Sequence, residues 1–246
     1  MNFKAFRVAP PPAKVAWDKG LIGFTLAEIL ITIGIIGVVA ALTIPSLINN
    51  YRRNELRTRF KKASSTIEQA VLSTAVEFGM ENYLLPGKKY IANMGTIPVN
   101  DRNIMNNYFL SQLKIVNTLS VMSPSKLNSI KIYRKDGSYY TNYPYMASQS
   151  YKVYILQDGA SVSLIDFQVH HSSDGIKVKF DSNGPFKGPN RIGYDLFIYD
   201  TGYWCHNICS TDIGGGNFIW YGCYEFAQSD QDPDDKTKGY WDSLKL

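Results

Sequence analysis

Residues Gly23 to Asn50 read GFTLAEILITIGIIGVVAALTIPSLINN, and between Phe24 and Ile48 the only charged residue is Glu28. Helical residues rise about 1.5 Å each, so such a run can cross a hydrocarbon core of about 30 Å. A carboxylate at the bilayer centre costs about 2.5–3.5 kcal/mol on insertion scales, which makes a lone Glu in this setting a functional candidate. Gly34 and Gly37 offer places where a second helix can approach, and Pro45 removes one intrahelical hydrogen bond.

Upstream, residues 1–23 hold Lys4, Arg7, Lys14 and Lys19 against Asp18, with Pro10-Pro11-Pro12 and no apolar run. This is a targeting and processing segment rather than fold. An ordinary secretory signal cut near Val39-Ala40-Ala41 is the plainer alternative, but the apolar run exceeds the usual core of about 7–15 residues. An uncleaved membrane anchor is another.

Downstream, Leu56, Phe60, Ala63, Ile67, Ala70, Thr74 and Phe78 recur at three and four residues. That spacing predicts an apolar stripe on a helix running from about Phe24 to Phe78 and ending near Gly79. The block from Tyr51 to Lys62 carries six basic residues against Glu55. It is read as a solvated face touching membrane lipid headgroups, with salt bridges between subunits second. By themselves these charges favour a cytoplasmic head. The formal charge of +5 falls to +2 if the first 23 residues are removed, and from Ala63 onward the chain is near −2. No overall charge argument for nucleic acid survives that division.

Residues 80–128 are rich in Asn, Pro and Gly, with one helix expected from about Asn103 to Leu119 that turns Ile104, Leu110, Leu113 and Val116 to a core. From Ile130 the period becomes two. Strands are expected at Ile130 to Tyr133, Tyr151 to Gln157, Ser161 to Val169, Ile176 to Phe180 and Asp195 to Tyr199, with turns at Asp136-Gly137, Asp158-Gly159 and Asp174-Gly175. Ile176, Val178 and Phe180 alternate with Lys177 and Lys179, which predicts one buried and one wet face. The expected fold class is therefore α+β, a long N-terminal helix packed on an antiparallel sheet. The expected domains are a leader at 1–23, the apolar half-helix at 24–50 and a head at 51–246. The head divides into amphipathic helix (51–79), linking region (80–128), and sheet with C-terminal loops (129–246).

Several residues invite chemistry. In the segment Phe180 to Phe197, Asn183-Gly184 and the Gly-Pro pairs force a compact loop. Asp181, Asn183 and Asp195 could cap its amides or together hold calcium; capping is preferred, because an oxygen site wants six or more donors. The acidic run Asp230, Asp232, Asp234 and Asp235 is a second calcium candidate, read as a solvated loop. Cys205, Cys209 and Cys223 suit one disulfide and one remaining thiol in an oxidising compartment. Either Cys205–Cys223 or Cys209–Cys223 would close a useful loop. The Cys-x3-Cys spacing beside His206 matches no structural zinc module, and a Cys nucleophile with His170 or His171 is set aside. Gly214-Gly215-Gly216 lies in no phosphate-loop context. Trp204, Trp220 and Trp241 are assigned to packing. No enzyme and no cofactor are expected.

The basic leader, Gly23-Phe24, Glu28 as fifth residue after Gly23, and the unbroken apolar helix together resemble type IV prepilins and type II secretion pseudopilins. The D-x-N-G, G-P-N, G-x-D-x-F segment is similar to the C-terminal half of many pilin-like proteins. The resemblance implies that a prepilin peptidase cuts after Gly23 and methylates the Phe24 amine, and that Glu28 pairs with this amine as subunits stack. It implies that the stretch from Gly34 to Pro45 can loosen in the filament, and that the cysteines staple the head. It also implies an inner-membrane precursor with its head outside the cytoplasm, against the charge argument, which then joins other pilin or pseudopilin subunits through an inner-membrane assembly platform. Pilus, pseudopilus and a minor or tip pilin binding a surface ligand or DNA all fit. Nucleic acid is a partner only in the DNA-uptake case.

Overall fold

The computed structural model describes residues 23–79, 99–120, 126–143, 152–167, 176–200, 209 and 223–246. The leader, Asp174-Gly175, His170, His171, Trp204, Cys205, His206, Gly214 to Gly216 and Trp220 lie outside the described residues. The chain divides into two units, Met1–Ser46 and Leu47–Leu246. Helix α1 (Leu26–Glu77, 52 residues) contributes to both.

Among the described residues of the first unit none is buried. Leu26, Leu30, Ile33, Ile36 and Leu42 are all more than half exposed. A Cβ added at Gly34 or Gly37 would meet no atom within 4 Å. Thr32 and Thr43 bond back to the helix: the Thr32 hydroxyl donates to Ile29 O and that of Thr43 to Val39 O, both at 2.9 Å. Their polarity is thus spent within the helix, as an apolar solvent requires. By length and composition this helix is able to cross a membrane.

In the second unit α1 buries the expected stripe, Leu56, Phe60, Ala63, Ile67, Ala70 and Thr74, with Phe78 half-buried against the same core. Gly79 follows at φ +66°, the left-handed conformation that ends helices on glycine. Helix α2 (Val99–Gln112) precedes strand β1 (Ile115–Ser120). A short 3₁₀ turn (Lys126–Ser129) leads to the hairpin β2 (Lys131–Tyr133) and β3 (Tyr139–Asn142). Strands β4 (Lys152–Leu156), β5 (Ser161–Phe167), β6 (Ile176–Asp181) and β7 (Leu196–Asp200) follow, then α3 (Cys223–Ser229). One antiparallel sheet has the order β1-β4-β5-β6-β7; β2 and β3 form a second, two-stranded sheet.

Two expectations need correction. Ile115 to Leu119 is strand, not the end of a helix: three of its five residues are β-branched, and it pairs with β4, Asn117 opposite Ile155 and Leu119 opposite Val153. The sheet therefore takes its edge strand from the stretch read as linking region. In α2 the core face is carried by Met105 and Phe109, with Leu113 just beyond, while Ile104 and Val116 are exposed at 55% and 63%. The second correction concerns the wet face of the sheet. Val162, Ile176, Val178, Phe180 and Phe197 pack with Phe60 and Ile67 of α1. The opposite face is also covered: Val153, Leu196 and Ile198 pack under Ile132, Tyr143 and Leu127 of the hairpin layer. Lys179 is half-buried there, and burial, then the like charge of Lys177, pushes its ammonium below the usual value.

Candidate functional site

The start of α1 is built by a reciprocal cap. The Thr25 N–H and hydroxyl both donate to Glu28 Oε2, at 2.8 and 2.9 Å, and the Glu28 N–H donates back to Thr25 Oγ1 at 3.2 Å. Thr25 stands just before the first helical residue, Leu26, so this is a capping box of the T-x-x-E type. Gly23 and Phe24 precede it, with Phe24 80% exposed. Thr25 was not among the expected site residues, although the four-residue pattern is legible in the sequence. Pro45 lies inside the helix.

The second arrangement is the loop between β6 and β7. Asp181 and Asp195 stand at its two feet and are fully buried. Asp181 Oδ1 accepts the amides of Asn183 (3.1 Å) and Gly184 (2.9 Å), and Oδ2 accepts the Tyr143 hydroxyl (3.2 Å), which also bonds Ser161 Oγ. Asp195 accepts the amides of Asn190 and Arg191, each at 2.7 Å. The Asn183 side-chain amide spans the loop to Gly188 O at 3.0 Å. Gly184 has φ +84°, and a Cβ there would come within 2.3 Å of Gly159 O, so this position must be glycine. The expected calcium residues thus sit together, with the carboxylates engaged as caps on the loop's own amides.

Burial pushes both carboxyls up from their usual values. For Asp181 the bonds from Asn183, Gly184 and Tyr143 oppose the shift; for Asp195 the charge of Asp181 adds to it and the amides of Arg191 and Asn190 oppose it. Burial decides the direction because the opposing donors are neutral dipoles.

Arg191, unforeseen in the sequence, fastens this loop to its surroundings. Its guanidinium donates to the backbone oxygens of Arg134 and Lys135 at the hairpin and of Lys245, and lies 4.1 Å from the centre of the Tyr194 ring. Cys209 and Cys223 form the disulfide, one of the two expected pairings. Cys223 lies against Gly193, whose carbonyl accepts the buried Tyr240 hydroxyl at 2.6 Å.

Four residues of the basic block make polar contacts within the chain. Arg53 donates to Leu244 O at 3.0 Å, Arg57 pairs with Asp230, Arg59 with Glu55 at 2.9 Å and Lys62 with Asp158 at 4.0 Å. Arg52 and Lys61 are exposed. The acidic run makes turns: Asp232 Oδ1 accepts the amides of Asp234 and Asp235, and Asp235 holds Thr237 and Lys238. Among the described residues no three His, Cys, Asp or Glu side chains meet in a way that could hold a metal ion. An open cleft of about 660 Å³ lies between α1 and the β4–β5 turn, bordered by Lys62, Gln69, Lys114, Gln157 and Asp158.

The model of the family described as "Family of unknown function (DUF6613)" matches residues 46–199. The chain belongs to that family. The matched span starts where the head unit starts and stops within β7, so it contains the sheet and the loop clasped by Asp181 and Asp195. The chain is also 39% identical over 75 residues to the type IV wide pilus major component PilA4 of Thermus thermophilus. The match covers 30% of this chain and 50% of the relative, so the chain spans about half the length of the curated relative it matches. No solved structure matches.

Proposed function

We propose that this chain is a structural subunit of a type IV pilus-like filament, made as a membrane precursor and cut after Gly23 by a prepilin peptidase. Subunits associate through the first half of α1, and the precursor is delivered by an inner-membrane assembly platform with its head outside the cytoplasm. The observation that carries this reading is the row of exposed apolar side chains on α1 between Phe24 and Ile48, long and apolar enough to cross a membrane. An apolar surface of that length is stable only in lipid or against other helices. The partial similarity to a wide-pilus component supports the filament over a plain anchor. Glu28, the one charge in that surface, would be matched by the Phe24 ammonium that cleavage creates, which lowers the cost of keeping it out of water.

Mass spectrometry of sheared surface filaments and of membranes tests this. A chain beginning at N-methyl-Phe24 in filaments is the expected result. The same terminus confined to membranes would favour a pseudopilin or minor subunit, and an uncut chain would end the filament reading.

A further inference from the structure

Asn183-Gly184 is the single Asn-Gly pair in the chain. Such a pair carries its own chemistry. The glycine's backbone nitrogen, once it gives up its proton, attacks the side-chain carbon of the asparagine. A new C–N bond closes a succinimide ring and the side-chain nitrogen leaves as ammonia. Water then opens the ring to aspartate or isoaspartate. Glycine favours the attack because no Cβ hinders its nitrogen.

Here each reacting part is held. The Gly184 N–H donates to Asp181 Oδ1 at 2.9 Å, so its proton is kept against a protein oxygen rather than offered to a base in solvent. The Asn183 N–H donates to the same oxygen at 3.1 Å, and the Asn183 carboxamide is tied to Gly188 O at 3.0 Å. Burial is a separate barrier: Asn183 is 6% exposed and Gly184 is buried. A third comes from the β4–β5 turn, whose Gly159 carbonyl lies so close to Gly184 that a Cβ would not fit between them.

We propose that Asn183 is a latent modification site, a spontaneous deamidation site that Asp181 keeps closed while the loop is folded. Only a chain in which this loop has opened can react. The change is then one-way. An aspartate at position 183 has no hydrogen to donate to Gly188 O. It also adds a third carboxylate to a buried loop that already holds Asp181 and Asp195. The modified loop therefore closes less firmly, and the chain carries a permanent record of having opened. This holds whether or not the chain enters a filament.

The test incubates the full chain in detergent at mildly alkaline pH, native and with denaturant, and follows amide-to-acid conversion at Asn183 by peptide mass spectrometry. Native wild type should stay unmodified while the denatured chain reacts. Below its own denaturation midpoint, Asp181→Ala should react about ten-fold faster than wild type, the change expected from losing one hydrogen bond to a carboxylate. After removal of denaturant, modified wild type should show a lower midpoint than unmodified chain. Native wild type that reacts as fast as the denatured chain would overturn the proposal, as would a folded Asp181→Ala that reacts no faster than wild type. Equal midpoints would overturn the one-way step. Should Asp181→Ala not fold, hydrogen exchange of wild type decides: a Gly184 amide protected like those of β6 supports the shield, and one that exchanges like an exposed turn removes it.

Discussion

Glu28 and the Asp181–Asp195 pair are carboxylates held in opposite ways. Glu28 lies on an exposed apolar helix, and one residue three positions away supplies both of its donors. The aspartates are fully buried, and their donors include four backbone amides and the tyrosine that follows β3, drawn from separate parts of the chain. Glu28 is held by one amide and one hydroxyl of a single exposed residue, so exchanging its partner leaves no buried group unpaired. The aspartates cannot be exchanged in this way, because removing the acceptor leaves buried N–H groups unpaired. The first suits a group that has to change partner, and the second a group that fixes a loop.

Three experiments probe this contrast. The largest effect is expected for Glu28→Ala, which should reduce filament incorporation to background while the denaturation midpoint of the full chain in detergent stays at the wild-type value. A shifted midpoint would make Glu28 a folding residue and erase the distinction. Next, Asp195→Ala should destabilise the chain by roughly 3 kcal/mol, since two amides lose their acceptor at about 1–3 kcal/mol each. Chemical denaturation measures it, and a loss below about 1 kcal/mol would mean that the loop stands without its foot. The smallest effect is in pH. Burial pushes Asp181 up to about 7, so its folded value lies above its unfolded one. Folding therefore favours the protonated acid, and the stability tied to this group is complete below about pH 4 and lost as pH rises through about 7. The midpoint should fall between about pH 5 and about pH 8 in wild type and less steeply in Asp181→Asn, where Asp195, also raised by burial, keeps part of the slope. A flat wild-type profile would show that the amide bonds, not burial, control this carboxyl.

What the sequence disclosed follows the range of the interactions concerned. The α1 stripe, the stop at Gly79, the turns at Asp136-Gly137 and Asp158-Gly159 and the alternation in β6 are local patterns, and each was legible. Ile115 to Leu119 was not, because a short stretch mixing three apolar residues with Asn117 and Thr118 suits helix or strand and only pairing with β4 decides. The covering of the second sheet face by Ile132 and Tyr143, the anchoring by Arg191, and the choice of Cys209 over Cys205 are likewise contacts between residues distant in sequence. Thr25 is a different case. Its pattern with Glu28 was local and readable, but Glu28 already had a role from resemblance, and the cap went unread.

The edge of the sheet bears on how copies of this chain can stick together. At β1, the outermost strand, the side-chain oxygen of Asn117 accepts the backbone amide of Thr118 at 2.8 Å, and the pairing with β4 shifts register between Ile115 and Asn117. An incoming strand would need that amide and a regular ladder. A subunit of the proposed filament would have more to lose than most proteins from lateral, amyloid-like growth, and Asn117 blunts that route at this edge.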